Sequence, residues 1–301
     1  MSKETRRLPG MGAVDRITTR YQTDRVLRNR LQQFAAMATL AVLLVWFLFP
    51  FVWTFKTSIQ ARPVAQAFPP VLWGFEPQIA ANYGEVIYNS AFLQFMRNGI
   101  LTAAIGTIVA MLIGLPHAYV LSKYDYKLRN TSMFLILGVR VFPLVALAVP
   151  FFILYSRFGL SDTLLGVTIV LTMLYEPFIV WILKSYFDGI STSMVEAARM
   201  DGCTKFQAFY RIMLPQAEPA LASATIFSWI EAFNHFTLVF FLTSSPSAQT
   251  VPFGILNFIR DNFIPWNIIS AASILAMVPS FIIILLFQKY LVRGIAGEQV
   301  G

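Results

Sequence analysis

The sequence predicts an all-α polytopic membrane protein with six transmembrane helices and both termini in the cytoplasm. Of its 301 residues, 57% are hydrophobic and 13% are charged, whereas an average soluble domain is about 25% charged. Six apolar runs are each long enough to cross a hydrocarbon core about 30 Å thick at 1.5 Å per residue. Lys and Arg are concentrated on one side of these runs. The composition therefore excludes an ordinary soluble enzyme.

The six predicted spans are separated by segments that are polar, short or rich in Pro and Gly. The spans lie at residues 34–55, 99–121, 131–155, 164–183, 218–243 and 269–291. The first run is longer than the apolar region of a signal peptide, which predicts an uncleaved signal anchor. The polar segments predict a basic N-terminal tail, mobile or lying on a surface, an extracytoplasmic segment and a short Gly-rich C-terminal tail. These three segments are residues 1–33, 56–98 and 292–301.

The orientation follows from the distribution of basic residues. With the N-terminus inside, 17 of the 23 Lys and Arg residues lie on inside segments and five outside, while Arg140 lies within a span. This asymmetry predicts that both termini are cytoplasmic. In such a protein a net charge of +8 reflects topology, so we expect no nucleic-acid partner. One cysteine, Cys203, and two histidines, His117 and His235, form neither a disulfide nor a metal-ligand set.

The inside loop at residues 184–217 contains signals for ordered helices. The S-x-x-E pattern from Ser193 to Glu196 predicts a capping box and the start of a short helix. Gly202 then occupies a position that favours the left-handed conformation found after a helix C-terminus. The first helix also carries a small-residue face, formed by Ala197 and Ala198.

A second short helix is predicted in the same loop. Thr204 and Gln207 form another capping-box pattern, and Pro215 is expected to end the helix. Its apolar residues share one helical face; they are Phe206, Phe209, Tyr210 and Met213. The pattern fits either a helix pair that docks into a partner's groove or an amphipathic segment on the membrane surface, with Lys205 and Arg211 near the headgroups.

The loop also carries a resemblance to a known family. The stretch Glu196-Ala197-Ala198-Arg199-Met200-Asp201-Gly202, followed by Ile212-Met213-Leu214-Pro215, resembles the EAA loop of permease subunits of binding-protein-dependent type I ABC importers. Cys203 stands where Ala is usual. Flanking stretches are similar to maltose-type carbohydrate permeases: Asn98-Gly99, Ala118-Tyr119, Asp162-Thr163, Phe233-Asn234 and Arg293-Gly294-Ile295-Ala296-Gly297. The resemblance covers residues 34–301.

The resemblance implies a type I ABC importer permease fold with its core at residues 99–291. It implies a heterodimer with a second permease subunit, two cytoplasmic ATPase subunits and an extracytoplasmic solute-binding protein, in the cytoplasmic membrane of a bacterium or archaeon. By this resemblance the binding protein docks on residues 56–98 and 244–268. The residues expected to couple to the ATPases are Glu196, Ala197, Ala198, Asp201, Gly202, Phe206, Phe209, Ile212, Leu214 and Pro215.

The chain itself is not expected to be an enzyme. It contains no G-x-x-x-x-G-K-[ST] motif, whose backbone amides would hold ATP phosphates. ATP is therefore expected to be used by the partner subunits, and this chain is expected to bind no cofactor and no metal.

Two charged residues lie within predicted spans at similar depth. Arg140 lies about nine residues from the inner end of the third span, and Glu176 about seven from that of the fourth, which places both about 10–14 Å deep. Because a charge at the bilayer centre costs about 2.5–3.5 kcal/mol on insertion scales, an Arg140–Glu176 ion pair is predicted. Such a pair serves either to hold two spans together or to line a pathway. His117 is interpreted as a packing residue near the membrane interface.

Further polar residues lie near the middle of the fifth span. Glu231 and the pair Asn234 and His235 are one helical turn apart and share a face. They either line a polar pathway for a hydroxyl-rich solute or form hydrogen bonds to neighbouring spans. The family usually has an acidic residue at the position of His235.

These features bear on three possible functions. The first is a permease subunit of an ABC importer for a sugar, an oligosaccharide or a polyol. The second is an ion-coupled secondary transporter of a small polar solute, suggested by Arg140, Glu176 and Glu231. The third, an intramembrane hydrolase, lacks a G-x-S-x-G or H-E-x-x-H motif. The sequence predicts the first.

Overall fold

The computed structural model describes residues 11–259 and 263–297. Side chains are described for residues 30–138, 140–259 and 263–290. The chain divides into two units, one ending at Lys56 and the other beginning at Thr57.

All regular secondary-structure elements in the described residues are helical. A 3₁₀ turn at Val139–Val141 and a π-helical turn at Phe209–Met213 interrupt the α-helices. In chain order the α-helices are α1 Met11–Ser58, α2 Arg62–Ala65, α3 Ile79–Ile87, α4 Ser90–Lys123, α5 Arg129–Gly138, α6 Leu144–Arg157, α7 Leu164–Gly189, α8 Thr192–Met200, α9 Lys205–Ala208, α10 Leu214–Gln216, α11 Glu218–Phe233, α12 Thr237–Leu242, α13 Val251–Leu256 and α14 Trp266–Gly297.

Four helical segments in the described part of the chain are long and apolar enough to cross a membrane. They are Arg30–Ser58, Ser90–Lys123, Leu164–Gly189 and Trp266–Tyr290. The first three contain the first, second and fourth predicted spans, and the last contains all but the final residue of the sixth. The all-helical membrane fold class is thereby confirmed.

The third and fifth predicted spans are not single continuous helices, in contrast to the prediction. The third is divided between α5 and α6, with a 3₁₀ turn and Pro143 between them. Pro143 has no backbone N–H to donate, and it lies at the N-cap of α6 in an extended conformation. The fifth is divided between α11 and α12, because Asn234 ends α11.

Parts of the segments outside the spans are helical. α1 begins at Met11, so residues 11–33 of the predicted mobile or surface-lying tail are helical. Their sequence contains no Pro, and Gly12 is the only Gly, which leaves nothing to break a helix that continues into the first span. α14 likewise extends to Gly297. Residues 1–10 and 298–301 of the two predicted tails lie outside the described residues.

Helices α4 and α7 form the centre of the second unit. α11 packs against both, α14 packs against α11, and α13 packs on the N-terminal half of α4. A buried row of small residues along α4 permits the close approach; it consists of Gly99, Ala103, Gly106, Ala110, Gly114 and Ala118. A Cβ atom added at Gly114 would lie 3.0 Å from Cγ2 of Ile179 on α7.

This packing predicts that Gly114→Leu separates α4 from α7. The larger side chain has no space against Ile179 and Val180, and overpacking of this kind costs about 1–3 kcal/mol or more. We expect the thermal unfolding midpoint of the detergent-solubilised protein to fall by about 5 °C. Gly138→Leu is the matched control, because a Cβ atom there meets nothing within 4 Å. Equal midpoints for the two variants would contradict the prediction.

Candidate functional site

The first helix of the 184–217 loop begins earlier than its sequence pattern predicts. α8 starts at Thr192, and its N-cap is Ser191, whose Oγ accepts a hydrogen bond from the backbone N–H of Ser193 at 3.3 Å. The predicted capping box from Ser193 to Glu196 is therefore wrong. Because Ser191 already has the extended backbone that an N-cap requires, Ser193 lies in the first turn, and Glu196 is an exposed residue within the helix.

The end of this helix has the predicted form. Gly202 adopts a φ of +90°, a conformation that is open to Gly and unfavourable for residues with a Cβ atom. The N–H of Cys203 donates to the carbonyl of Ala198 at 3.0 Å, and that of Gly202 donates to the carbonyl of Arg199 at 3.1 Å. These two bonds form a Schellman motif, which turns the chain sharply out of α8.

The second helical segment starts as predicted and ends differently. Both capping-box bonds between Thr204 and Gln207 are present, at 2.9 and 3.2 Å. The chain then forms the π-helical turn, in which the N–H of Leu214 bonds to the carbonyl of Phe209. Pro215 does not end the segment, because it lies in the first turn of α10, where a missing N–H is tolerated. Only Ala217 separates α10 from α11.

The predicted apolar stripe of the second segment divides into two faces. Phe209 and Met213 are 8% and 0% exposed, whereas Phe206 and Tyr210 are 74% and 61% exposed. A π-helical turn holds more residues than the 3.6 of an α-helix, so side chains four positions apart share a face there, whereas side chains three positions apart do not. Half of the stripe therefore packs inward and half remains exposed.

The buried half attaches the loop to the C-terminal ends of α4 and α7. The ring of Phe209 lies 4.7 Å from that of Tyr119 on α4, and the ring of Tyr119 lies 6.1 Å from that of Phe187 on α7. Met213 joins the same buried cluster, together with Leu183 of α7. The loop is therefore packed against the C-terminal ends of both helices.

The exposed half forms a rim of apolar side chains, which we call the coupling rim: Met200, Phe206 and Tyr210. Met200 is 88% exposed. Glu196, Ala197, Asp201, Gly202 and Pro215 are also exposed, Ile212 and Leu214 are half-buried, and Ala198 is buried. An apolar rim that is held on a rigid support and flanked by acidic residues is suited to contact another protein.

The predicted Arg140–Glu176 ion pair is wrong. Oε1 of Glu176 lies 2.9 Å from Nδ1 of His117 on α4. The guanidinium of Arg140 lies 4.9 Å from the centre of the Phe178 ring. Because the third predicted span is broken at Val139–Val141, counting 1.5 Å per residue from its inner end does not give the position of Arg140. His117 is thus a hydrogen-bond partner of Glu176, whereas the sequence analysis assigned it to packing.

The His117–Glu176 pair predicts a characteristic double-mutant result. His117→Leu leaves the part-buried carboxyl group of Glu176 without its hydrogen-bond partner, whereas His117→Leu combined with Glu176→Leu removes both polar groups. Breaking such a pair costs more than replacing it with apolar residues. We expect the single variant to lower the thermal unfolding midpoint and the double variant to recover most of that loss. A double variant less stable than the single one would contradict this.

A second polar cluster lies where α11 ends. Nδ1 of His235 lies 2.7 Å from the Tyr175 hydroxyl, and Nε2 accepts a hydrogen bond from the N–H of Leu238 at 3.3 Å. The proton of the neutral ring therefore resides on Nδ1, so that the ring donates to Tyr175. The Tyr175 hydroxyl in turn donates to the backbone carbonyl of Glu231 at 3.1 Å. This chain of bonds fixes the break between α11 and α12 against α7.

The other predicted pathway residues are open to the surroundings. The side chains of Glu231 and Asn234 are exposed, and His235 is half-buried behind them. Sequence reasoning missed Tyr175, which is 4% exposed. No pattern in the sequence distinguishes this tyrosine from other aromatic residues of an apolar span.

Comparison with known proteins identifies the family. The family described as "Binding-protein-dependent transport system inner membrane component" matches residues 106–297. The chain is 31% identical to the sulfoquinovosyl glycerol transport system permease protein SmoH of Agrobacterium fabrum over 87% of this chain and 92% of that protein. It is 32% identical to the trehalose/maltose transport system permease protein MalG of Thermococcus litoralis over 84% of this chain and 92% of that protein.

A solved structure shows the same fold. A chain of a bacterial ABC transporter involved in the import of the acidic polysaccharide alginate superposes with a TM-score of 0.71 at 23% identity, over 87% of this chain and 96% of that chain. Together with the sequence matches, this establishes that the chain belongs to the family of inner membrane components of binding-protein-dependent transport systems.

Proposed function

We propose that the chain is the permease subunit of an ATP-driven, binding-protein-dependent importer of a sugar, an oligosaccharide or a polyol. The substrate class rests on the named relatives, which transport sulfoquinovosyl glycerol and trehalose or maltose. Family membership does not favour the ion-coupled secondary transporter.

The proposal includes six membrane crossings with both termini in the cytoplasm of a bacterial or archaeal cell. Residues 129–157 and 218–242 supply the third and fifth crossings as pairs of shorter helices, each pair long enough for a core about 30 Å thick. Non-helical backbone at this depth is tolerated where it lies within protein or lines a cavity. The placement of the termini rests on the distribution of Lys and Arg.

The coupling rim is proposed to seat against a cytoplasmic ATPase subunit. The observation that carries this proposal is the two-sided construction of the loop, with Phe209 buried against Tyr119 and Phe206 exposed. Nζ of Lys205 lies 5.3 Å from the centre of the Tyr124 ring, next to the inner end of α4, which favours docking over a segment that lies on lipid headgroups. Two ATPases and a second permease subunit complete the proposed complex.

The solute pathway is proposed to pass the exposed side chains of Glu231 and Asn234. A carboxylate and an amide one turn apart offer acceptors and donors to a hydroxyl-rich solute. His235 and Tyr175 support this position from behind, since their polar atoms are bonded to each other and to the backbone. Arg140 and Glu176 remain proposed intramembrane contacts of the same region.

Uptake by proteoliposomes tests the proposal against its alternative. The complex, reconstituted with its ATPases and binding protein, is expected to accumulate labelled sugar with internal ATP and not with an ion gradient alone. Accumulation by this chain alone, driven by a proton or sodium gradient and insensitive to ATP depletion, would instead establish a secondary transporter.

A further inference from the structure

The loop between α12 and α13 is held in place by side chains from two other parts of the fold. We call residues 243–250 the outer loop, since they lie on the side that the distribution of Lys and Arg assigns to the exterior. Residues 244, 246 and 247 are exposed, whereas residues 248–250 are buried. The loop thus presents a short exposed tip on a buried base.

Asn98, on the outer half of α4, binds the inner surface of this loop. Its side chain is 0% exposed. Nδ2 donates to the carbonyl oxygens of Pro246 at 3.1 Å, Ser247 at 3.0 Å and Gln249 at 2.9 Å. Three acceptors around one amide nitrogen leave only one orientation of the side chain, because the opposite orientation would place Oδ1 against three carbonyl oxygens.

Asp162, in the turn before α7, binds the start of the same loop. Oδ1 accepts hydrogen bonds from the N–H groups of Ser244 at 2.8 Å and Ser245 at 2.9 Å, and its own N–H donates to the carbonyl of Leu242 at 2.8 Å. Partial burial opposes ionisation, but the hydrogen bonds from Ser244 and Ser245 outweigh it and hold the pKa of this carboxyl below its usual value. The carboxylate is therefore a charged acceptor at neutral pH.

The far end of the loop is fixed by close packing of α13 on α4. A Cβ atom added at Gly254 would overlap the side chain of Phe95, and one added at Gly99 would lie 3.1 Å from Cγ2 of Val251. The outer loop therefore has fixed ends as well as a fixed middle. This arrangement is unusual for a surface connection, since such connections are ordinarily the mobile parts of a fold.

We propose that Asn98 and Asp162 are positioning residues that preform the outer loop for the extracytoplasmic binding protein. This inference rests on the proposed function. A loop already held in its bound conformation loses little conformational entropy when a partner docks. The exposed tip then makes contact, while the two side chains beneath it determine how readily contact forms.

The test measures binding-protein-stimulated ATPase activity of the complete complex in lipid nanodiscs, together with hydrogen exchange of residues 243–250. The binding protein is the one that stimulates the wild-type complex. Asn98→Asp and Asp162→Ala are expected to raise the concentration for half-maximal stimulation about tenfold and to speed exchange in the loop. The ATPase rate at saturating binding protein is expected to stay within about twofold of wild type.

Asp162→Asn is the matched control, because it retains an acceptor oxygen and tolerates the φ of 57° at this position. It is expected to stay within about threefold of wild type in half-maximal concentration. Pro246→Gly loosens the tip while it leaves Asn98 and Asp162 in place and keeps the backbone carbonyl that Asn98 binds. It therefore tests the idea even where another variant fails to fold, and it too is expected to raise that concentration.

Faster exchange with an unchanged half-maximal concentration would overturn the inference and make both residues purely structural. A wild-type complex that no binding protein stimulates would instead count against the proposed function.

Discussion

Replacing Phe206 with Glu is expected to reduce ATP-driven uptake about tenfold or more while leaving the chain folded. The side chain is 74% exposed and lies at the centre of the coupling rim, so its replacement removes little packing within the subunit. It places a charge where an apolar contact with the ATPase is proposed, and desolvation of that charge in an interface is unfavourable.

The measurement is the amount of ATPase that co-purifies with tagged permease, read beside the rate of uptake. Phe206→Leu is the matched control, since it keeps an apolar side chain on the coupling rim. This variant is expected to retain most of the ATPase co-purification and most of the uptake rate. Phe206→Glu with normal ATPase recovery and normal uptake would show that the rim is not the contact surface.

Gly202→Val is expected to lower ATP-driven uptake by about tenfold. A Cβ atom at this position meets nothing within 4 Å, so the effect comes from the backbone alone. The φ of +90° is unfavourable for residues with a Cβ atom and most unfavourable for a β-branched residue. The backbone rearrangement of lowest free energy is loss of the turn after α8. This loss would move Met200 relative to Phe206 and distort the coupling rim.

Gly202→Asn distinguishes this mechanism from a simple effect of side-chain size. Asn adopts left-handed conformations more readily than other residues and is found after helix C-termini. The uptake rate of the Gly202→Asn variant is expected to be within about threefold of wild type. If Gly202→Val and Gly202→Asn reduce uptake equally, the left-handed turn is not what requires a glycine at this position.

Local sequence signals predicted the parts of the site that depend on local chemistry. The capping box of Thr204 and Gln207 and the left-handed Gly202 follow from residue types at fixed spacing, and both are present. Four spans appear as predicted because twenty apolar residues in succession have few alternatives to a membrane helix. The sequence did not distinguish Ser191 from Ser193 as the N-cap, since two serines separated by one residue offer competing caps.

Features that depend on tertiary packing could not be predicted from the sequence. The π-helical turn at Phe209–Met213 depends on how Phe209 and Met213 fit against Tyr119 and Leu183, and it divides a stripe that appears continuous in sequence. The partner of Glu176 is His117 and not the predicted Arg140, because the break in the third span changes which side chains meet. The partners of Asn98 lie about 150 residues away along the chain.

Site-directed cross-linking tests the central claim most directly. In a Cys203→Ser background, which removes the one native cysteine, Met200→Cys carries a photoactivatable benzophenone on the coupling rim. Phe68→Cys is the matched control, being 95% exposed and on the predicted outer side. The coupling-rim proposal predicts a cross-link from position 200 to the ATPase and none from position 68. Cross-linking from neither position, or equally from both, would contradict it.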